Sequence, residues 1–443
     1  MRKFWVVLLS ICLIVAFTMP VSAADVKFSG SYIAQGYYEN NRTVTDPEGS
    51  SVSNVWQRLR VQTVFQVQEG LTLTTRFDAM EKVWGAARST TAGGTNSGSV
   101  SYENENIKFE HVYVTANLPF GRLMVGYQQQ GVFGTSFADT GDSWYGPRVR
   151  YDYFYGPWQF LALWDKVEGA KDYSVTGPAG TPAETDKDAN KYDVAFMYHG
   201  KQWDFGLLLI TLWDSTTATP SATRPEGYKR NWWVFDPYVK ATVGPVYFEA
   251  EAIYIMGKTR DYEETGKDQD KNSLSLYAKV QGNIGPAYLG LLGVYVQGDD
   301  DASDSKDKAG YPGGTDFNPC LILFNYDLTR WEGVQGGYTG TNGTGSEMRN
   351  VWLGQLFAGI KPIPKLDIRL AAAYAKADKT ANGWDDKDIG TEVDLTVSYK
   401  IFDNLEYMIG GGYLFAGDYF KGTNQANNVE NDYLLTHKLT LTF

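Results

Sequence analysis

The sequence predicts an all-β fold: a transmembrane antiparallel β-barrel of about 18 strands, with short turns at one end and long loops at the other. Three observations carry this expectation. Polar and apolar residues alternate in runs of about ten to fourteen from Val26 to Phe443, and about nine to eleven tilted residues cross a bilayer. Short connections marked by Gly or Pro take turns with long polar ones. Aromatics reach 15% while mean hydropathy is −0.34, a balance that leaves no helical span in the body of the chain but hides alternating strands.

Taken in order, residues 1–23 read as a secretion signal. Arg2 and Lys3 form the charged start, Phe4 to Phe17 the apolar centre, and Val21-Ser22-Ala23 the cleavage site. Its removal takes the formal charge from −12 to −14, since Arg2 and Lys3 are its only charged residues. Cys12 leaves with it, so Cys320 is the remaining cysteine and no intramolecular disulfide is expected. Residues 24–443 form one expected barrel domain. A closed hydrogen-bonded barrel supplies the rigidity that an exported chain without disulfides needs.

Arg58 to Gln68 shows the strand pattern. Leu59, Val61, Phe65 and Val67 fall on one face, towards lipid, and Arg58, Arg60, Gln62, Gln66 and Gln68 on the other, towards water. Tight turns are expected at Glu69-Gly70, Pro119-Phe120-Gly121, Gly156-Pro157, His199-Gly200-Lys201, Gly244-Pro245, Gly285-Pro286, Pro362-Ile363-Pro364 and Asp403-Asn404. Long loops are expected at 40–51, 85–104, 131–146, 168–189, 215–228, 259–271, 299–349, 379–387 and 418–430. This alternation places both ends of the chain on the short-turn side. Trp84, Trp164, Trp213, Trp232 and Trp233 lie near long-loop ends, and Phe120, Phe154, Trp158, Phe402 and Phe443 near short-turn ends, as two interfacial girdles require.

Loop 299–349 is too long to be idle. It holds the acidic run Asp299-Asp300-Asp301 with Asp304 and Asp307. The apolar patch Phe317-Asn318-Pro319-Cys320-Leu321-Ile322-Leu323-Phe324 follows. Such a patch is expected to bury itself by folding over the mouth or into the lumen; an extra strand pair is the alternative. The acidic loops, which also include Glu263-Glu264 and Asp385-Asp386, make a solvated anionic rim or bridge divalent cations to lipopolysaccharide.

Inward-facing charge does the work of a pore. Alternation turns Arg58, Arg60, Arg76, Arg148 and Arg150 inward, with Asp78 and Asp152 among them. Later strands turn Glu249, Glu251, Asp367, Glu392 and Asp394 inward, with Lys240, Lys279, Arg369 and Lys400. The early group reads as net basic and the late group as more acidic, about half a turn away in an 18-strand circle. Two readings follow. The charges set a field across the lumen, the arginine forks favouring carboxylates, or they pair along the wall and only solvate it.

Catalytic readings find little support. His111, His199 and His437 sit on separate strands, His437 in the lipid-facing register, and no nucleophile elbow, phosphate loop or metal motif occurs. No cofactor, metal site or catalytic residue is expected, and the acidic balance disfavours nucleic acid.

The segment Phe109 to Gln128 resembles a bacterial outer-membrane porin hairpin: a Tyr-Val strand at Tyr113-Val114, the Phe120-Gly121 turn and a Val125-Gly126-Tyr127-Gln128 strand. The tail from Gly390 to Lys400 and from Gly412 to Phe420 looks like the closing hairpin of alginate-export-type porins, which are 18-stranded monomeric barrels with arginine-rich lumens. The resemblance implies a bacterial outer-membrane channel that passes small hydrophilic solutes or ions. It leaves open export of an anionic polysaccharide, a sheath for a haem conduit, or a plugged surface barrel. Implied partners are outer-membrane lipid, lipopolysaccharide and the assembly machinery, which would read Leu439, Leu441 and Phe443 at the end of the last strand. Monomer and homotrimer both remain open.

Overall fold

The computed structural model describes residues 25–47, 51–85, 107–139, 144–169, 188–215, 227–262, 268–299, 305–310, 317–325, 348–380 and 384–443. The expected leader 1–23, all of loop 85–104 after Gly85, most of 168–189 and 215–228, Glu263-Glu264, Asp300, Asp301, Asp304 and residues 326–347 lie outside the described residues.

Eighteen long strands form one antiparallel sheet. They are β1 (Asp25–Glu39), β2 (Val52–Gln68), β3 (Leu71–Val83), β4 (Lys108–Leu118), β5 (Gly121–Gln129) and β6 (Tyr145–Tyr155). Next come β7 (Trp158–Gly169), β8 (Asp188–His199), β9 (Trp203–Asp214), β10 (Lys229–Val243), β11 (Val246–Asp261) and β12 (Gln269–Ile284). The last six are β13 (Ala287–Val296), β14 (Val351–Ile363), β15 (Leu366–Ala377), β16 (Asp388–Phe402), β17 (Leu405–Ala416) and β18 (Asp432–Thr442). Each strand pairs with its sequence neighbour, and β18 returns to β1, with Ser31 opposite Thr442 and Glu39 opposite Leu434. The sheet closes, so no edge is left. In the described parts of loop 299–349 the only strand is a two-residue parallel bridge, Lys306–Asp307, beside Asp270 and Lys271.

The eight expected turns each lie between consecutive strands, the one expected at Pro362-Ile363-Pro364 falling at Pro364-Lys365 because β14 runs on to Ile363. Gly156, Gly244 and Gly285 each precede a Pro and share φ of 56°, 59° and 59°, a conformation that glycine adopts without strain. The outward face carries Val112, Val114, Leu289, Leu291, Leu356, Leu370 and Leu395 exposed, the apolar belt of a membrane-spanning barrel. Trp84, Trp164, Trp213 and Trp233 are exposed near one rim, and Phe120, Phe154, Phe402 and Phe443 near the other. Trp232 departs from the expected girdle. It alternates with the exposed Trp233, points inward, and packs on a buried apolar cluster.

That cluster is the main core, and it lies inside the barrel. The lumen faces of β13, β14 and β15 are apolar: Leu292, Val294, Val296, Val351, Leu353, Phe357, Ala371, Ala373 and Ala375 are buried. Phe317, Ile322, Leu323 and Phe324 of the long loop, together with Phe137 of loop 131–146, cover them. Burying each large side chain contributes roughly 1.5–3 kcal/mol, enough to hold a loop against a wall.

Candidate functional site in the lumen

On β2 to β8 the inward charges are paired along the wall. Arg60 makes a two-pronged contact with Asp78, both bonds at 2.7 Å, and also reaches Glu110 at 3.1 Å. Arg58 lies 3.7 Å from Asp78 and 3.9 Å from Glu81. Arg76 donates to Glu110 at 3.1 Å and to the Tyr145 hydroxyl at 2.6 Å. Arg148 grips Asp165 at 2.6 and 2.8 Å, and Lys191 reaches Asp165 at 2.9 Å and Asp193 at 3.2 Å. Asp152 collects Arg150 at 2.9 Å, Arg122 at 3.0 Å and Gln159 at 2.8 Å.

Alternation had placed Arg58, Arg60, Arg76, Asp78, Arg148, Arg150 and Asp152 on the inward face, and they meet there. It had not named Glu81, Glu110, Arg122, Asp165, Lys191 or Asp193. Arg122, Asp165, Lys191 and Asp193 follow the simple period and were legible. Glu81 and Glu110 were not, because each lies at a bulge. The β2–β3 register shifts between Gln57 and Leu59, with Met80 at φ 55°, and the β3–β4 register shifts between Arg76 and Phe77. One extra residue exchanges the two faces of a strand. With these carboxylates counted, the early wall is a paired network and not a bare basic patch.

The late carboxylates hold loops. Glu251 accepts the Thr135 main-chain N–H at 3.2 Å and its hydroxyl at 2.5 Å, and hydrogen-bonds Asp236 on β10. Gly134 makes that approach possible. Its φ is +67°, and a Cβ there would collide with the Glu251 carboxylate. Glu392 accepts main-chain N–H groups from Leu321 at 2.8 Å, Ile322 at 2.7 Å and Leu323 at 2.7 Å, and Asp394 takes a second bond from Leu321 at 3.2 Å. The patch Phe317 to Phe324 is thereby drawn into the lumen. Glu251, Glu392 and Asp394 are buried under loops, so the expected acidic half of an open lumen is absent at these three positions. Glu249 keeps its place on the wall, bound by Tyr247 and Tyr277 at 2.6 Å each, with Lys279 at 3.6 Å.

The two loops touch. Phe137 stacks on Tyr277 at 5.4 Å, and Phe317 meets Phe137 edge-on at 5.4 Å. Loop 131–146 was not expected to fold inward, although Phe133 and Phe137 in a polar connection were the available signal. On the short-turn side of this contact lies a cavity of about 380 Å³, bounded above by Ser136 and Asn318 and walled by Lys279, Lys361, Asp367 and Arg369. Lys361 is 3.5 Å from Asp367. Arg369 donates to Gln355 at 2.9 Å and lies over Phe357, with no carboxylate within 4 Å among the described residues. Lys240 lies over Tyr238. The late wall beside and below the loops therefore presents more cations than carboxylates, Lys279 and Lys361 lying beside Glu249 and Asp367.

Cys320 is fully buried beside this constriction. Burial pushes its thiol well above the ordinary cysteine range, and the nearby Glu392 and Asp394 add to that. The three side chains lie close together. Three N–H groups nevertheless converge on Glu392, an arrangement that suits main-chain donors and not a cation.

Solved structures with the same fold include three bacterial proteins. OccAB2 of Acinetobacter baumannii has a TM-score of 0.54 at 10% identity, covering 94% of this chain and 98% of its own. OccAB3 of the same organism has a TM-score of 0.50 at 10% identity, over 94% and 100%. OccK11 of Pseudomonas aeruginosa has a TM-score of 0.50 at 9% identity, over 94% and 96%. The chain shares with them the fold of a closed antiparallel barrel of 18 long strands. No protein-family model matches it, and no curated protein sequence is similar enough to pair with it.

Proposed function

We propose that the protein is a porin of the bacterial outer membrane that passes small hydrophilic solutes or ions by diffusion. One observation carries the reading: a closed barrel, apolar outside, keeps charged side chains facing an interior cavity that two inward loops narrow at Phe137 and Phe317. The paired arginines Arg58, Arg60, Arg76, Arg148 and Arg150 order the early wall. Lys240, Lys279 and Arg369 set the field that a passing solute meets, which favours anions. Catalysis forms no part of this reading. Membrane lipid, lipopolysaccharide and the assembly machinery are its partners, the last through Leu439, Leu441 and Phe443. Single-channel conductance and reversal potential of the refolded mature protein test it. A porin-sized, anion-preferring conductance is expected, and a silent bilayer overturns it.

The two inward loops favour a second reading, a barrel whose lumen is plugged and whose surface is what acts. Export of an anionic polysaccharide, implied by the resemblance to alginate-export barrels, requires a polymer to pass the same two loops. Block of the conductance by added polyuronate would favour export, while a conductance indifferent to it speaks for small solutes.

A further inference from the structure

Three buried carboxyl pairs stand beneath long-loop segments: Glu39 with Asp432, Asp236 with Glu251, and Glu392 with Asp394. Each receives main-chain N–H groups from a loop, at Asn41, Thr135 and Leu321 to Leu323 respectively. The same arrangement recurs where three different loop segments meet the barrel wall.

We propose that Glu392 and Asp394 form a proton-operated latch: sharing one proton they hold residues 317–325 across the lumen, and loss of that proton in alkaline solution releases the segment and widens the channel. Two carboxyl groups in hydrogen-bond contact repel strongly when both are ionised. Three N–H groups converge on Glu392 and Leu321 also reaches Asp394, so the pair is seated to hold one negative charge and one bridging proton between them. Few other groups share the neighbourhood. Arg369 approaches from β15 and the Cys320 thiol from the loop itself. Across the sheet the pair faces Ala373 and Ala371 on β15 and Leu414 and Gly412 on β17, none of which titrates. A second charge in this apolar seat meets only Arg369, which is already engaged with Gln355. On its short-turn side the segment borders the cavity of about 380 Å³ through Phe317, Asn318 and Pro319, which gives it room to move.

The proposal rests on the lumen being the conducting path, but its test does not depend on conductance alone. The pH dependence of conductance and the rate of maleimide reaction at Cys320 are measured on refolded protein, wild type beside Asp394→Asn and Glu392→Gln. Asn at 394 keeps a donor to Glu392 and has no proton to lose, so Asp394→Asn is expected to stay narrow and protect Cys320 at alkaline pH, where the wild type opens and reacts severalfold faster. Comparison at one pH cancels the thiol's own ionisation. Loss of the Asp394 charge would, if anything, speed the thiol, opposite to the expected protection. Gln at 392 turns an amide against the converging N–H groups, so Glu392→Gln is expected to be open at neutral pH. If that variant fails to fold, the Asp394→Asn comparison decides alone. Equal Cys320 rates in wild type and Asp394→Asn across the alkaline range overturn the latch. A silent bilayer with the expected Cys320 pattern overturns the channel reading and leaves the latch standing.

Discussion

Arg60 shows how a single residue holds the early wall. Its guanidinium binds Asp78 through two bonds and Glu110 through a third, and its side chain is only 13% exposed. Bidentate charge-assisted bonds of this type fix geometry as well as energy. Removing the cation leaves two carboxylates facing each other, though each keeps a second partner, Arg58 for Asp78 and Arg76 for Glu110. Arg60→Ala is therefore expected to cost about 1–3 kcal/mol and not to abolish folding. A lowered urea midpoint followed by tryptophan fluorescence checks this, and an unchanged midpoint would show that the network is redundant. The inward position of Arg60 was plain in the sequence from period two. Its partner Glu110 was not, because a bulge is decided by pairing with the next strand and leaves no mark on its own strand's pattern.

Among the elements, the segment 317–325 and the wall it covers are best considered together. Its apolar composition foretold burial, but not the place of burial. The place was nevertheless written in β13 and β14. Leu289 to Val296 and Val351 to Phe357 carry apolar residues on both faces, which a strand between lipid and open water has no reason to do. Two-sided strands mark the part of the wall that protein covers. The main-chain bonds to Glu392 had no such signature, since backbone donors are independent of residue type. Phe324, 1% exposed and held at φ 53°, packs in the middle of the covered cluster. Phe324→Ala removes about 3–5 kcal/mol of packing. The loss falls on the loop's attachment and not on the strand ladder, so conductance is expected to rise while the thermal midpoint of barrel unfolding stays near wild type. A collapsed midpoint with no gain in conductance would mean that the loop is part of the barrel's folding unit.

For the whole molecule, charge and closure are separate questions. The expected contrast of a basic early half and an acidic late half gives way to a paired early wall and a late wall where Lys279, Lys361 and Arg369 outnumber the one carboxylate lining the cavity, Asp367. Arg369 lines the cavity without a carboxylate partner among the described residues, and lies well within a Debye length, about 8–10 Å, of any ion passing it. Arg369→Gln is expected to move the reversal potential towards cations further than Arg60→Gln does, because the Arg60 charge is engaged by carboxylates flush with the wall. Equal shifts would place the selectivity elsewhere. Closure depends on the seam between β18 and β1, and two glycines make it fit. The Phe443 ring lies over Gly30 and the His437 ring over Gly36, while Gly30 and Phe443 exchange main-chain bonds at 2.8 and 3.1 Å. An added Cβ at Gly30 would collide with the Arg60 carbonyl oxygen of β2, a backbone atom that cannot swing away, and would lie 2.8 Å from the Phe443 ring. Aromatic cover of a strand glycine is a known way to pin register. Gly30→Val therefore forces β1 away from β2 and pushes the Phe443 ring off the seam, which is expected to lower the fraction of compact, heat-modifiable protein on an unheated gel. A compact fraction equal to wild type would mean that the seam closes without the ring seated on Gly30.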